Sequence, residues 1–232
     1  LVSSGLAIAD GEGVGTIVND DEPPPVTSDV VISQVYGGGG NSGATFTHDF
    51  VELFNPGTTA ASLNGWSVQY ASASGAGPWQ VTPLAGSIAP GGYFLVRLAA
   101  GAAGTTPLPA PDASGSLALS ASAGKVALQT TTTAIPGPCP LVNTADLVGY
   151  GAANCFEGTG PTAQASNTTA PIRKRGGCFD SDNNNVDFSV GVPFPRNSAT
   201  APRSCTPVPV SIHDIQGPGA VSPFAGLDVI ST

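Results

Sequence analysis

The segment from Asp49 to Tyr70 constrains the fold of this chain more than any other, because it holds two strand patterns separated by turns. Phe50–Phe54 is an apolar run with one carboxylate. Asn55-Pro56-Gly57 ends it, since proline has no N–H to donate and glycine accepts a positive φ. Trp66–Tyr70 then alternates apolar and polar residues with the period of a half-buried strand. The segment therefore predicts antiparallel β-structure.

Short apolar runs separated by glycine, proline, serine and threonine continue along the chain, which has 31 glycines and 22 prolines in 232 residues. This pattern is typical of an all-β domain. Only 10% of the residues are charged, and the mean hydropathy is +0.15, which excludes a charge-rich disordered chain. No apolar run approaches the roughly 20 residues of a membrane-spanning helix, so we expect no membrane span.

The segment from Asp49 to Tyr70 also resembles a known family. A strand that ends in Glu-Leu-x-Asn-Pro and is followed by Leu-x-Gly-Trp is similar to the start of a lamin tail domain, which nuclear lamins and many secreted bacterial proteins carry. The resemblance implies an immunoglobulin-like antiparallel β-sandwich with long loops, in which Glu52, Asn55 and Trp66 are structural residues. The matching residues are Phe50, Val51, Glu52, Leu53, Asn55, Pro56, Leu63, Gly65 and Trp66.

Glu52 carries a further expectation, because it lies between Phe50 and Phe54 and shares their face of the strand by the period of two. A buried carboxylate must be paired or hydrogen-bonded. We therefore expect Glu52 to be partly buried, with a basic side chain or backbone N–H groups as partners, and to have a structural role.

Tyr93–Leu98 alternates Phe94, Val96 and Leu98 with Tyr93, Leu95 and Arg97, as in a strand. The connections after this run are less regular. Ala99–Gly115 is rich in alanine, glycine and proline and predicts a long loop. Leu117–Ser120 and Lys125–Thr130 predict the two strands of a hairpin around Ala121–Gly124.

The four cysteines are Cys139, Cys155, Cys178 and Cys205. An even number in a chain with few charges favours an oxidising compartment and two disulfides. Of the three possible pairings, Cys139–Cys155 and Cys178–Cys205 close compact local loops, and each bond is expected to stabilise the fold by roughly 3–4 kcal/mol. A zinc site is the alternative, but no Cys-x2-Cys pair is present and both histidines lie far away along the sequence.

The best candidate for a metal site is Asp180, Asp182, Asn184 and Asp187. The first three alternate with other residues, which places oxygen atoms on one side of a tight loop, and Asp187 offers another. Calcium prefers such ligands, but the loop lacks the glycine and the final glutamate of an EF-hand. Asx turns made by the side chains themselves explain the composition as well.

The basic run Arg173-Lys174-Arg175 lies before Gly176-Gly177, and we expect these charges at a strand edge, where they prevent edge-to-edge pairing. The same stretch resembles secreted bacterial lamin tail domains. The residues that fit are Arg173, Gly177, Cys178, Asp180, Asn183, Asn184, Asp187 and Phe188.

Both flanks resemble pieces of other domains, so we expect a fragment of a larger protein. Residues 1–22 resemble the end of a Calx-beta domain, and residues 23–28 form a proline-rich linker. Residues 29–205 are the lamin tail-like domain. Residues 206–232 contain a linker and a run that resembles the start of the OB-like module of secreted nucleases in the endonuclease/exonuclease/phosphatase superfamily, whose catalytic motifs lie outside this chain.

These observations predict a non-catalytic module of a secreted or cell-surface bacterial protein. It spaces or targets a neighbouring catalytic domain, or binds another protein or a surface polymer. A calcium-dependent adhesion module is the alternative, and an enzyme in its own right is disfavoured because no nucleophile, metalloprotease or acid-pair motif is present. Residues 29–205 hold seven bases and nine acids, so nucleic-acid binding is not expected.

Overall fold

The structure is a computed structural model that describes residues 30–140 and 142–206, together with the backbone of two short strands at 208–210 and 229–231. The predicted Calx-beta remnant, the proline-rich linker and most of the following module therefore lie outside the described residues. Within the described part, no helix is long and apolar enough to cross a membrane.

Strands dominate the described residues, with one 3-10 turn at Lys174–Gly177 and one short helix, α1, at Asn184–Asp187. In chain order the strands are β1 Val31–Tyr36, β2 His48–Phe54, β3 Ala61–Ser62, β4 Ser67–Ser72, β5 Gln80–Pro83, β6 Ser87–Ile88, β7 Tyr93–Ala100, β8 Ala113–Ser114, β9 Gly124–Gln129, β10 Thr144–Tyr150, β11 Ala170–Arg173, β12 Phe188–Gly191, β13 Val208–Val210 and β14 Val229–Ser231.

Two sheets face each other. One has six strands in the order β12-β11-β1-β2-β7-β8, and the other has four in the order β10-β9-β4-β5. Neighbours in both sheets are antiparallel except for the short β8, which pairs parallel with β7. The main core between the sheets takes alternate residues of the strands, and its members include Val51, Leu53, Phe94, Val96, Val68, Val126, Leu128 and Val148. The predicted all-β sandwich is confirmed.

The segment from Asp49 to Tyr70 joins the two layers. Its first predicted strand corresponds to β2, in the six-stranded sheet, and its second corresponds to β4, in the four-stranded sheet. The Asn55 amide stabilises the connection, because it donates to the carbonyls of Thr59 (2.8 Å) and Ile88 (3.0 Å). Trp66 lies one residue before β4 and packs, partly buried, against the main core.

Two sequence expectations need correction. Leu117–Ser120 is not a strand, so the predicted hairpin is absent, and β9 pairs instead with β4 and β10. Leu117 and Leu119 are nevertheless buried in the main core, which explains their apolar alternation. The loop predicted at Ala99–Gly115 contains the two-residue strand β8.

Residues 192–205, here called the return strap, cover the outer face of the six-stranded sheet. The backbone of Phe194 donates to and accepts from the side chain of Gln34 on β1, at 3.1 and 3.0 Å. Further along, Arg196 reaches Glu52 on β2, and the N–H of Arg203 donates to the carbonyl of Gly91 at 2.8 Å. The strap thus buries polar side chains that a bare sheet face leaves in water.

Candidate functional site: a buried ion network with an acidic rim

Arg173 lies at the centre of a buried ion network. It is the last residue of β11, which runs between β12 and β1, so it is not at a sheet edge as the sequence predicted. Its side chain is fully buried and donates to Asp146 Oδ2 and to Asp180 Oδ1, both at 2.6 Å. The Asp187 carboxylate lies 3.6 Å away. The guanidinium suits this position because its fork presents several donors in one plane.

The pair between Arg173 and Asp146 joins the two sheets, since Asp146 belongs to β10 of the four-stranded sheet. The same Asp146 oxygen accepts the backbone N–H of Ile32 on β1 at 2.5 Å. Arg173 in turn donates through Nε to the carbonyl of Ile32 at 2.9 Å. These contacts satisfy both charges, which a buried ion pair requires to be tolerated.

Two side chains cover the outer edge of β10. Asn184, at the start of α1, accepts from Gly149 N–H and donates to the carbonyl of Leu147, both at 2.8 Å. Glu157 accepts from Leu147 N–H and from the Asn184 amide, both at 3.1 Å. Because an uncovered edge invites pairing with other chains, these side chains protect the sheet.

Glu157 also belongs to the acidic rim of this network, which consists of Glu157, Asp180 and Asp182. One carboxylate oxygen from each lies within 4.8 Å of the others. Burial raises the pKa of Glu157 to about 9, and the nearby Asp146 adds to this effect. Burial likewise raises the pKa of Asp180 to about 6, although Arg173 opposes the shift. Three converging carboxylates are a donor set that suits a hard cation such as calcium.

The structure divides the four residues predicted to bind calcium. Asp180 and Asp182 belong to the acidic rim, whereas Asn184 covers β10. Asp187 is fully buried and accepts hydrogen bonds from Ser181 Oγ (2.5 Å) and from the backbone N–H groups of Ser181 and Asn183. Glu157 was missed because local spacing cannot connect it with a loop that follows after more than 20 residues of intervening chain. The metal assignment itself stays a prediction.

Glu52 forms a second buried ion pair. It is fully buried, and its carboxylate accepts from Ser33 Oγ (2.6 Å), Gln34 Nε2 (2.9 Å) and Arg196 Nη2 (2.6 Å). The guanidinium of Arg196 lies 3.8 Å from the centre of the Tyr93 ring. The pairing expected from the sequence is present, and its role is to attach the return strap to β2.

Lys125 is a buried cation that the sequence did not reveal. Its ammonium donates to the carbonyls of Gly75 (2.8 Å) and Pro138 (2.7 Å) and to Asn154 Oδ1 (2.8 Å). It also lies 5.3 Å from the centre of the Trp79 ring. Burial lowers the pKa of Lys125. These acceptors come from three different loops, so Lys125 holds the loops together.

Both disulfides expected from the sequence are present. Cys139–Cys155 and Cys178–Cys205 have Cα–Cα distances of 5.5 and 5.3 Å, within the usual range for a bridge. No cysteine in the described residues is free, which rules out the zinc alternative.

The two facing sheets and their buried cross-links define an immunoglobulin-like β-sandwich. Residues 23–137 match the family model of the lamin tail domain. The search of the curated proteins gave no match. Among solved structures, the chain is similar to a DUF4876 family protein from Bacteroides thetaiotaomicron, at 14% identity over 76% of this chain and 75% of that one, with a TM-score of 0.47.

Proposed function

We propose that this lamin tail-type sandwich is a non-catalytic module of a secreted modular protein. It spaces or targets a neighbouring catalytic domain, or binds another macromolecule. A nuclease or phosphoesterase is the neighbour that the run at residues 212–226 favours, because that run resembles the start of the module that precedes such enzymes. Two disulfides support an oxidising compartment for the module.

The use of the buried charges is the main support for a non-catalytic role. The buried carboxylates Asp49, Glu52, Asp146 and Asp187 accept hydrogen bonds from the strands and loops that they join. Catalytic acids and bases instead face a cleft where a substrate is held. These four carboxylates therefore use their hydrogen-bonding capacity to stabilise the fold.

A cleft in the loop between β9 and β10 gives the same indication. Its volume is about 450 Å³, and none of its described lining residues has a titratable side chain, since Cys139 is in a disulfide. The lining consists mainly of threonine, proline, alanine and isoleucine. Such a surface offers apolar contact and contains no acid or base that could activate its threonine hydroxyls.

The purified chain is expected to hydrolyse neither plasmid DNA nor a phosphate ester above the buffer rate, with magnesium, manganese or calcium present. Glu157→Gln is the matched variant, because it removes a carboxylate of the acidic rim and keeps the size of the side chain. Reproducible turnover by the unaltered chain that this variant loses would contradict the proposal. A gel shift at low salt, which is expected to show no DNA binding, checks the nucleic-acid expectation.

A calcium-dependent adhesion module is the second candidate, and the geometry of the acidic rim favours it. Glu157, Asp180 and Asp182 supply converging oxygens, and a bound cation would favour the ionised form of Glu157, whose pKa burial raises to about 9. Extracellular calcium modules commonly bind with dissociation constants of about 10⁻⁴–10⁻³ M. Backbone carbonyls and water are then required to complete the six to eight ligands of the ion.

Calcium is expected to raise the melting temperature if the acidic rim binds it. At a free concentration of about 100 times Kd, the free energy of unfolding increases by about 2.7 kcal/mol, which corresponds to about 5–10 °C for a domain of this size. Binding at pH 7 is also expected to release a proton, because the pKa of Glu157 is raised to about 9. Differential scanning calorimetry and a pH indicator measure the two effects.

Asp182→Asn is the informative variant for the calcium experiment. Asp182 is exposed and has a φ of +52°, a backbone conformation that asparagine adopts readily. The calcium-induced shift is expected to disappear in this variant and to persist in Asp112→Asn, which removes a carboxylate outside the rim. No shift in the unaltered chain at about 100 mM calcium, which is about 100 times the weakest of these dissociation constants, would eliminate the adhesion hypothesis.

A further inference from the structure

Both ends of the described domain lie at one end of the six-stranded sheet, here called the attachment end. Val31 is the first residue of β1, and its partner is Phe54, the last residue of β2. Phe54 in turn pairs with Tyr93, the first residue of β7. Cys205, near the last described residue of the domain, shares a buried apolar cluster with these three residues and Cys178. The points where the chain enters and leaves the domain are therefore neighbours.

The return strap is the reason for this arrangement. β11 is antiparallel to β1, and β12 is antiparallel to β11, so β12 runs away from the attachment end. A chain that left the domain after β12 would leave it at the opposite end. The strap instead crosses back over the outer face of the sheet, and its contacts with Gln34, Glu52 and Gly91 follow that course.

The disulfide Cys178–Cys205 holds the last residues of the return strap at the attachment end. Cys178 follows the 3-10 turn at the end of β11, beside the start of β1. Both cysteines are buried, at 7% and 6% exposure, next to the aromatic rings of Phe54 and Tyr93. A covalent bond placed at the last residues of a domain keeps its exit point in position even where local hydrogen bonds open.

We propose that the domain is a side branch of its parent polypeptide. The segments before Val30 and after Thr206 are attached within about 15 Å of each other, as a separation of two to three strands implies. The length of the sandwich, about 23 Å for the seven-residue β2, therefore does not separate the neighbouring modules. This inference rests on the proposed modular function and narrows it, because a side branch targets or binds and does not act as a spacer.

Distance measurements on the full-length chain test the side branch. Spin labels are introduced with a non-natural amino acid, so that the four cysteines stay in their disulfides. One pair, at Asp29 and Thr206, spans the two attachment points, and the control pair, at Asn41 and Thr206, spans the length of the sandwich. Electron–electron double resonance is expected to give less than about 20 Å for the first pair and more than about 25 Å for the control.

An attachment-point distance as long as the control distance would overturn the side branch, as would a broad distribution in a chain whose control distance is sharp. The control distance and far-ultraviolet circular dichroism verify that the labelled chain is folded. This outcome is distinct from failure of the proposed function. Catalytic turnover by the chain would refute a non-catalytic module and leave the short distance unchanged, whereas a long distance would leave the absence of turnover unchanged.

Discussion

Replacing Arg173 by methionine is expected to lower the free energy of unfolding by about 3–5 kcal/mol or to prevent folding, because the change leaves buried carboxylates without their cation. Asp146 and Asp180 lose partners at 2.6 Å, and Asp187 loses one at 3.6 Å. The carbonyl of Ile32 also loses its donor. Methionine fills much of the volume, so the loss reports on charge and hydrogen bonding more than on a cavity.

Urea denaturation, followed by tryptophan fluorescence, measures the effect. Arg97→Met is the matched control, because Arg97 lies on β7 of the same sheet and is only partly buried, and its loss is expected to be below about 1 kcal/mol. Arg173→Lys is expected to fall between the two, since an ammonium cannot reproduce the planar fork. A loss below about 1 kcal/mol in Arg173→Met would show that the network does not stabilise the sandwich.

The double variant Arg173→Met with Asp146→Asn isolates the cause. If the penalty of Arg173→Met comes from an uncompensated buried charge, removing the charge of Asp146 restores part of the lost stability, and the two changes are not additive. Strict additivity would mean that Arg173 contributes through contacts other than Asp146, namely Asp180, Asp187, the Ile32 carbonyl and the Phe188 ring, whose centre lies 4.5 Å from its guanidinium carbon.

Local patterns predicted the strands β2, β4, β7 and β9 but did not predict β8, β11 or β12. The alternation in β4 and β7 places Val68, Phe94 and Val96 in the main core, as period two requires. Glu52 was predicted to be paired because a carboxylate between Phe50 and Phe54 has to be satisfied. These inferences succeeded because strand geometry and burial depend on residues close together in the chain.

The partners of the charged groups could not be predicted in the same way. The run with Lys174 and Arg175 predicted that Arg173 is a surface charge. Arg173 is instead buried, and its partner Asp146 comes from the other sheet. Glu52 meets Arg196 only because the return strap crosses β2, 144 residues further along the chain. Pairings of this kind depend on topology, and one sequence contains no local signal for them.

The acidic rim shows what local spacing can predict and what it cannot. Its two aspartates were found from the spacing within one loop, whereas Glu157 arrives from the segment after β10. Asn184 fits the same spacing and Asp187 was expected to add a further oxygen, but both are used inside the fold. Asn184 covers the edge of β10, and Asp187 accepts a hydrogen bond from Ser181. Spacing thus identifies loops that carry oxygen ligands, while the fold decides which of these oxygens remain open at the surface and which are used in internal hydrogen bonds.

Because one disulfide holds the return strap, we expect the two disulfides to contribute unequally to the free energy of unfolding. This is the second prediction with a large effect. Loop-closure entropy alone predicts that removing Cys178–Cys205 costs about 3.5 kcal/mol and removing Cys139–Cys155 about 3 kcal/mol, because the loops span 27 and 16 residues. The first bond is also buried against Val31, Phe54 and Tyr93, whereas Cys139 is half-buried in a surface loop. We therefore expect the difference between the two losses of stability to be larger than loop-closure entropy alone predicts.

Urea denaturation of the two paired variants, Cys178→Ala with Cys205→Ala and Cys139→Ala with Cys155→Ala, measures that difference. The first variant is expected to lose about 1 kcal/mol more than the second beyond the entropic difference, because the freed end of the strap no longer covers the apolar cluster. Alanine is used so that no buried hydroxyl is left unsatisfied. A larger loss for the Cys139–Cys155 variant would mean that the strap is held by its ion pair with Glu52 and not by the disulfide.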